Sequence, residues 1–165
     1  MKPMDLPKRK PNRLKDYDYS TPNGYFITVC TKARKNLFWK SVGAIIDRPQ
    51  NVPLTQVGMM VKQAIGDISK YYPAITVDNA VIMPNHIHLL LQIHTDANGR
   101  SMIAPTISTV VRMMKGTVSK QVSFPLWQKG FYDHVIRNEE DYQAIWNYIA
   151  GNPGKWAEDQ LYSPD

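Results

Sequence analysis

Cysteine is almost missing from this chain: Cys30 is the only one among 165 residues. That excludes an internal disulfide framework and a multi-cysteine zinc site. Long apolar runs are missing too, and nothing approaches the roughly 18–20 consecutive apolar residues of a membrane helix. The opening stretch, MKPMDLPKRKPNRLKDYDYS, has charges and prolines but no apolar segment, so no secretory signal is expected. These absences point to a cytoplasmic protein with no membrane partner. A Gly-x-x-x-x-Gly-Lys loop is also lacking, and with it the usual cradle for a nucleotide phosphate.

Acid is unevenly distributed. Residues 97–132 contain Arg100, Arg112, Lys115, Lys120 and Lys129 and no Asp or Glu. Residues 1–40 hold ten basic and three acidic residues, a net +7 within a chain whose total is +6. Residues 133–165 reverse the balance, with Arg137 and Lys155 against seven acids. This split is what a polyanion-binding face looks like, although a solvated basic arm and helix face would read the same. Arg9, Lys10 and Arg13 in the arm, and Arg112 and Lys115 further on, are the candidate phosphate contacts.

What is present is one core's worth of hydrophobic residues, 43% of the chain, enough for a single domain. We expect a basic arm over 1–20 and one domain over 21–165. GYFITVCT at 24–31 is β-branched and aromatic and reads as a strand. Val57, Met60, Val61, Ala64, Ile65, Ile68, Tyr71 and Tyr72 recur at three- and four-residue steps, which predicts a helix over about 55–71, stopped by Pro73. Strands at about 74–83 and 86–93 flank a Met83-Pro84-Asn85 turn. A helix over 106–121 buries Ile107, Val110, Val111, Met114 and Val118. A strand over 127–136 follows, then a helix capped by Asn138, with Glu139, Glu140 and Asp141 in its first turn. That helix ends near Gly151, ahead of Pro153. The first six elements match the split βαβ arrangement called ferredoxin-like, an α+β fold: an antiparallel sheet with helices packed on it. The last helix is an addition at the C-terminal end.

Alternation along 86–93 sends Ile87, Leu89, Leu91 and Ile93 to one face, which is core. His86, His88, Leu90, Gln92 and His94 take the other, which is free for a ligand or a further helix. His86 and His88 stand about 6.5–7 Å apart at Cα by strand geometry, close enough to converge on one metal ion. Two half-exposed histidines without a ligand fit the same pattern. On the last helix, Tyr142, Ile145, Trp146 and Ile149 form the expected buried stripe. Tyr148 and Asn152 lie one turn apart on its flank. Spacing alone favours an interfacial tyrosine and a helix stop. Cys30 reads as a core residue of the first strand, and His94 as solvent-exposed.

MPNHIHLLL at 83–91 and FYDHVIRNEEDYQAIWNYIAGNPGKW at 131–156 together resemble the REP-associated tyrosine transposases, relatives of the single-tyrosine HUH transposases of insertion sequences. RLKDYDYS at 13–20, GYFITVCTKARKNLF at 24–38 and LWQKGFYDH at 126–134 extend the resemblance over nearly the whole chain. It implies that His86-Ile87-His88 is the HUH metal motif. It likewise implies that Tyr148 is the catalytic tyrosine and that Asn152 is the carboxamide completing the metal site. The implied cofactor is Mg2+ or Mn2+. The implied partner is single-stranded or hairpin DNA from short palindromic repeats, bound by a monomer or a homodimer.

The implied chemistry is cleavage and rejoining of DNA through a 5′-phosphotyrosine link, which conserves the bond energy for strand transfer. Two other readings are a DNA-hairpin-binding protein without catalysis and a metal-dependent phosphohydrolase that uses water. Tyr132 is the second candidate nucleophile. His134 is left open between a supporting group, a DNA contact and a satisfied histidine.

Overall fold

The computed structural model describes residues 14–19, 21, 23–40, 53–95 and 106–164. Among these residues, four strands and four α-helices follow one another as β1 Gly24–Cys30, α1 Gln56–Gly66, α2 Ile68–Tyr71, β2 Ile75–Ile82, β3 His86–Ile93, α3 Ile107–Ser119, β4 Tyr132–Val135 and α4 Glu139–Gly151. A 3-10 segment, Pro153–Glu158, continues from α4. The sheet order is β2-β3-β1-β4, and every neighbouring pair is antiparallel. This is the ferredoxin-like arrangement expected from the sequence. No helix among the described residues is long and apolar enough to cross a membrane.

The core forms where the two periodicities meet. Tyr25, Ile27 and Val29 of β1 and Ile87, Leu89, Leu91 and Ile93 of β3 share one sheet face. Against it pack Val61, Ala64 and Ile65 of α1 and Val110, Val111, Met114 and Val118 of α3. Thr55 caps α1 by accepting from the Gly58 amide at 3.1 Å, and Thr106 caps α3 by accepting from Thr109 at 3.3 Å. The opposite sheet face carries Leu90, which meets Ile136 and Ile149 in a second, smaller cluster. Helix α4 covers this face.

Three elements depart from the sequence reading. The helix expected over 55–71 divides at Asp67, where Gly66 and Asp67, both weak helix formers, adjoin. The strand expected over 127–136 is confined to Tyr132–Val135. Gly130 at φ 78° interrupts the extended backbone, and Trp127 pairs with Thr31 only as an isolated bridge. The stripe on α4 is only partly buried: Ile149 is 1% exposed but Trp146 is 37% exposed. Only part of this helix's circumference meets the sheet, so one side of the stripe stays in water.

A β-bulge between Val77 and Asn79 positions α4. It sets Asp78 apart from the ladder, and the Asp78 carboxylate accepts a 2.8 Å hydrogen bond from the Tyr142 hydroxyl. Burial, with the carboxylate beside it, pushes the Tyr142 phenol up to about 12.

Gly58 offers a sharp test of the packing around α1. A Cβ there would sit 2.4 Å from the Phe38 carbonyl oxygen, whereas one at Gly66 meets nothing within 4 Å. Gly58→Ala should therefore cost about 1–3 kcal/mol, while Gly66→Ala should be neutral or stabilise by up to about 1 kcal/mol. The urea unfolding midpoint is expected to fall for Gly58→Ala and to hold or rise for Gly66→Ala.

Candidate functional site

The β1–β3 ladder pairs Cys30 with His86, Thr28 with His88 and Phe26 with Leu90. His86 and His88 therefore project from the face under α4, as their alternation requires. They are not half-exposed: His86 is 0% and His88 3% accessible. The face that the sequence left free for a ligand or a further helix is covered by α4 and by the segment that follows it.

The two imidazoles converge. Their Nε2 atoms are 3.1 Å apart. His86 Nδ1 is 2.8 Å from Asn85 Oδ1 and His88 Nδ1 is 2.8 Å from Thr28 Oγ1. The Asn85 amide nitrogen donates to the Arg34 and Leu161 carbonyls at 3.2 and 2.8 Å, which fixes its oxygen toward His86. His86 must then donate from Nδ1, leaving Nε2 as a bare acceptor. Thr28 is adaptable, since its hydroxyl accepts from or donates to His88. With Thr28 donating, His88 Nε2–H donates to His86 Nε2 and the pair is neutral; with Thr28 accepting, both Nε2 atoms are bare and open to a cation.

The pair fits a divalent ion. Two donors on adjacent positions of a small ion, each about 2.1 Å from it, stand about 3.0 Å apart. Both rings are held by a partner at Nδ1, the arrangement that orients metal-binding histidines. Burial holds the His86 imidazole well below its usual range, at about 4, and the Arg34 guanidinium adds to the effect. Burial and then His86 hold His88 at about 3, with Asp159 opposing. Both rings are thus neutral near pH 7, the state in which imidazole binds metals.

Tyr148 reaches this pair from α4. Its ring lies 5.4 Å from that of His88 and 6.0 Å from that of Phe26, and the residue is 48% exposed. The phenol therefore stands at the rim of a buried imidazole pair. Asn152, one turn later, is 5% exposed, and its amide nitrogen is buried without a hydrogen-bond partner. A cleft of about 450 Å³ is lined by Tyr148, Asn152, Lys155, Glu158 and Asp159 among others.

Asp159 is the residue that sequence reasoning missed. Its Oδ2 is 3.6 Å from His86 Nε2, and it forms with the two histidines a group whose ligand atoms all lie within 4.8 Å. No local signal marks it, because the chain must pass through α4 and turn back before Asp159 meets β3.

The other candidates fall elsewhere. Tyr132 is paired with Thr28 on β4, so Thr28 stands between it and His88. His134 is paired with Phe26, and its Nε2 is 2.8 Å from Asp141 Oδ2. His94 is exposed at the end of β3, with Nε2 2.8 Å from the Thr76 hydroxyl. Cys30 is buried on the same face as His86, its partner across the ladder, rather than in the main core. Arg112 and Lys115 line a groove of about 710 Å³ between α3 and residues 125–131, together with Ser108, Ser119, Trp127 and Lys129. Arg112 is exposed. The Lys115 ammonium donates to the Gln128 and Gly130 carbonyls at 2.9 and 3.0 Å, and burial lowers its pKa. Arg9, Lys10 and Arg13 lie outside the described residues.

The fold and site define an α+β protein in which a helix-borne tyrosine overlies a buried His-x-His pair on an antiparallel sheet. Residues 23–152 match the family described as IS200-like transposases. The chain belongs to that family. An uncharacterized protein of Haemophilus influenzae is 35% identical over 93% of this chain and 93% of its own. A second protein of that organism, assigned provisionally to the REP-associated tyrosine transposases, is 30% identical over 57% of each chain. A solved REP-associated tyrosine transposase, bound to a REP hairpin, shares the fold with a TM-score of 0.58 at 21% identity, covering 87% of this chain and 73% of that one.

The histidine pair makes stability depend on pH. Unfolded histidines take protons below about pH 6.5, whereas His86 and His88 resist them down to about 4 and 3. The unfolded state therefore binds more protons as pH falls from 6.5, and stability must drop. The loss should approach about 1.4 kcal/mol per histidine per pH unit. Urea midpoints of chelator-treated protein between pH 6.5 and 4.5 should fall steeply, and less steeply in a His86→Leu, His88→Leu double variant. Parallel pH profiles would contradict the burial described.

Proposed function

We propose that this chain cleaves and rejoins single-stranded DNA beside a hairpin-forming repeat, with Tyr148 as the nucleophile. The observation that carries the reading is the Tyr148 ring lying 5.4 Å from that of His88, over an imidazole pair whose Nε2 atoms are 3.1 Å apart. The family match supports a transposase. The hairpin bound by the protein of like fold and the assignment of the 30% identical relative support repeat DNA as the substrate.

The Tyr148 hydroxyl attacks the scissile phosphorus, forming a phosphotyrosine bond to the 5′ side. The bond to the 3′ oxygen breaks, and that oxygen leaves as a hydroxyl after taking a proton. The phenol proton passes to solvent, which the exposed rim position of Tyr148 permits. No phosphate bond is hydrolysed, so the reverse attack by a 3′-hydroxyl rejoins the strand. His86 and His88 would hold the ion, Mg2+ or Mn2+, with Asn152 as the carboxamide that the family resemblance implies. Such an ion supplies Lewis-acid stabilisation of charge on the phosphate. The hydrogen bond that His86 donates to Asn85 and the one His88 shares with Thr28 keep the imidazoles in register for it.

The groove along α3 is suited to the paired stem. Its lining residues include Arg112, Lys115 and Lys129 and no acid. Arg112 contacts backbone phosphate, whereas Lys115 ties residues 128–130 to α3 and contributes its charge at a distance.

Tyr148→Phe removes one hydroxyl from an exposed side chain, so folding and hairpin binding should persist while the covalent adduct disappears. Incubation with a labelled hairpin bearing a single-stranded foot, in Mn2+, followed by a denaturing gel, checks this. An adduct in the Phe variant would move the nucleophile, with Tyr132 next. An intact hairpin complex without any adduct from wild type would favour a binding protein, and cut DNA never linked to protein a hydrolase.

Arg112→Ala should weaken hairpin binding and reduce the slope of log affinity against log salt by about 1. It should leave adduct formation at saturating DNA unchanged. Fluorescence anisotropy at several salt concentrations reads the slope.

A further inference from the structure

We propose that Asp159 is a further protein ligand of the divalent ion at His86 and His88, so that the segment after α4 completes the metal site. The inference rests on the metal-site reading above and adds to it an anionic oxygen from a part of the chain outside the His-x-His strand and the tyrosine helix.

The Asp159 side chain is 2% exposed, yet its Oδ2 is buried without a hydrogen-bond partner. A buried carboxylate oxygen left without a donor is costly, and a cation is the partner that removes the cost. The other oxygen is engaged: Oδ1 accepts from the Leu161 amide at 2.7 Å. With one oxygen fixed, the other is held 3.6 Å from His86 Nε2. The three candidate ligand atoms, two imidazole nitrogens and one carboxylate oxygen, lie within 4.8 Å of one another.

The segment that carries Asp159 is braced as a ligand-bearing element requires. Trp156 is 5% exposed and packs against Trp39, His86 and Tyr162, with ring centroids 6.4, 6.0 and 5.2 Å away. Asn36 donates to the Ser163 carbonyl at 2.8 Å. Asn85 is shared between the two sides: its oxygen accepts from His86 and its nitrogen donates to the Leu161 carbonyl, both at 2.8 Å. One carboxamide thus orients a histidine and anchors the strap that delivers Asp159.

Chemically, a carboxylate changes what the site selects. Imidazoles alone suit later transition metals, whereas a hard anionic oxygen favours Mg2+ and Mn2+. It also lowers the net charge of the loaded site by one.

The test is Mn2+ titration of the chelator-treated full chain, followed by calorimetry and by the electron paramagnetic resonance signal of free Mn2+. Wild type should bind one ion. Asp159→Asn should bind it at least tenfold more weakly, and Mn2+ should raise its melting temperature less. In chelator, the same variant should melt no lower than wild type, because a neutral amide replaces an unpartnered buried carboxylate. His88→Ala should lose the site altogether. Should Asp159→Asn fail to fold by near-ultraviolet circular dichroism, Asp159→Ser takes its place. Wild-type Mn2+ affinity in either folded Asp159 variant, with binding lost in His88→Ala, would overturn the inference and leave the histidine site standing. Wild-type affinity in His88→Ala would overturn the underlying metal-site reading instead.

Discussion

The backbone ladder between β1 and β3 is the constraint from which the rest of this molecule follows. It sets Thr28 opposite His88 and Cys30 opposite His86. A slip of one residue would exchange the two faces of β3, driving the histidines under α1 and α3 and turning four apolar residues toward α4. Ile87, Leu89, Leu91 and Ile93 are all essentially inaccessible. Burying each is worth roughly 1.5–3 kcal/mol, and the wrong register would trade their packing against α1 and α3 for two imidazoles in the main core. The placement of the two imidazoles is thus secured by hydrophobic burial on the opposite side of the same strand.

That placement has a cost of its own. Keeping two imidazoles neutral and dry sacrifices their hydration, which is the physical content of their depressed pKa values. Hydrogen bonds at each Nδ1 offset part of it. Neither Asn85 nor Thr28 is a chance neighbour. Asn85 occupies the β2–β3 turn, where the Met83 amide donates to the His86 carbonyl, and its own carbonyl accepts from Thr31. Thr28 is delivered by the ladder. The site is therefore rigid because the fold's own connections supply its supporting groups.

Much of this was legible in the sequence. Period-two alternation gave β3 and its two faces, three-and-four spacing gave α1 and α3, and Asn138 with three acids marked the start of α4. The family match agrees with the resemblance carried by MPNHIHLLL and the tyrosine-helix block. The misses at the site share a cause. The histidines' burial depends on α4 and on residues 153–164, which arrive from far along the chain. Asp159 joins the site through the same reversal. The shortened β4 reflects a positive φ at Gly130 that its neighbours did not announce. The wet side of α4 reflects how little sheet there is to cover it. Local pattern specifies which face a residue takes, but only tertiary packing decides what closes over that face.

The arrangement divides labour between depth and access. The imidazoles are deep, hydrogen-bonded and fixed to β3, one of the two central strands of the sheet. The phenol of Tyr148 is shallow and rides on a helix anchored chiefly by Ile149 in the small second cluster and by the Tyr142 bond to Asp78. Deep groups are suited to holding charge in place, because a water-poor setting strengthens every electrostatic interaction there. The Tyr148 phenol, the nucleophile proposed above, is shallow, which would suit a polymeric substrate whose scissile phosphate arrives from solvent with its flanking chain attached. The bulge at Asp78 joins these two demands: it takes one residue out of the edge strand to hold the helix, at the height where the phenol overhangs His88 while its hydroxyl stays in reach of solvent.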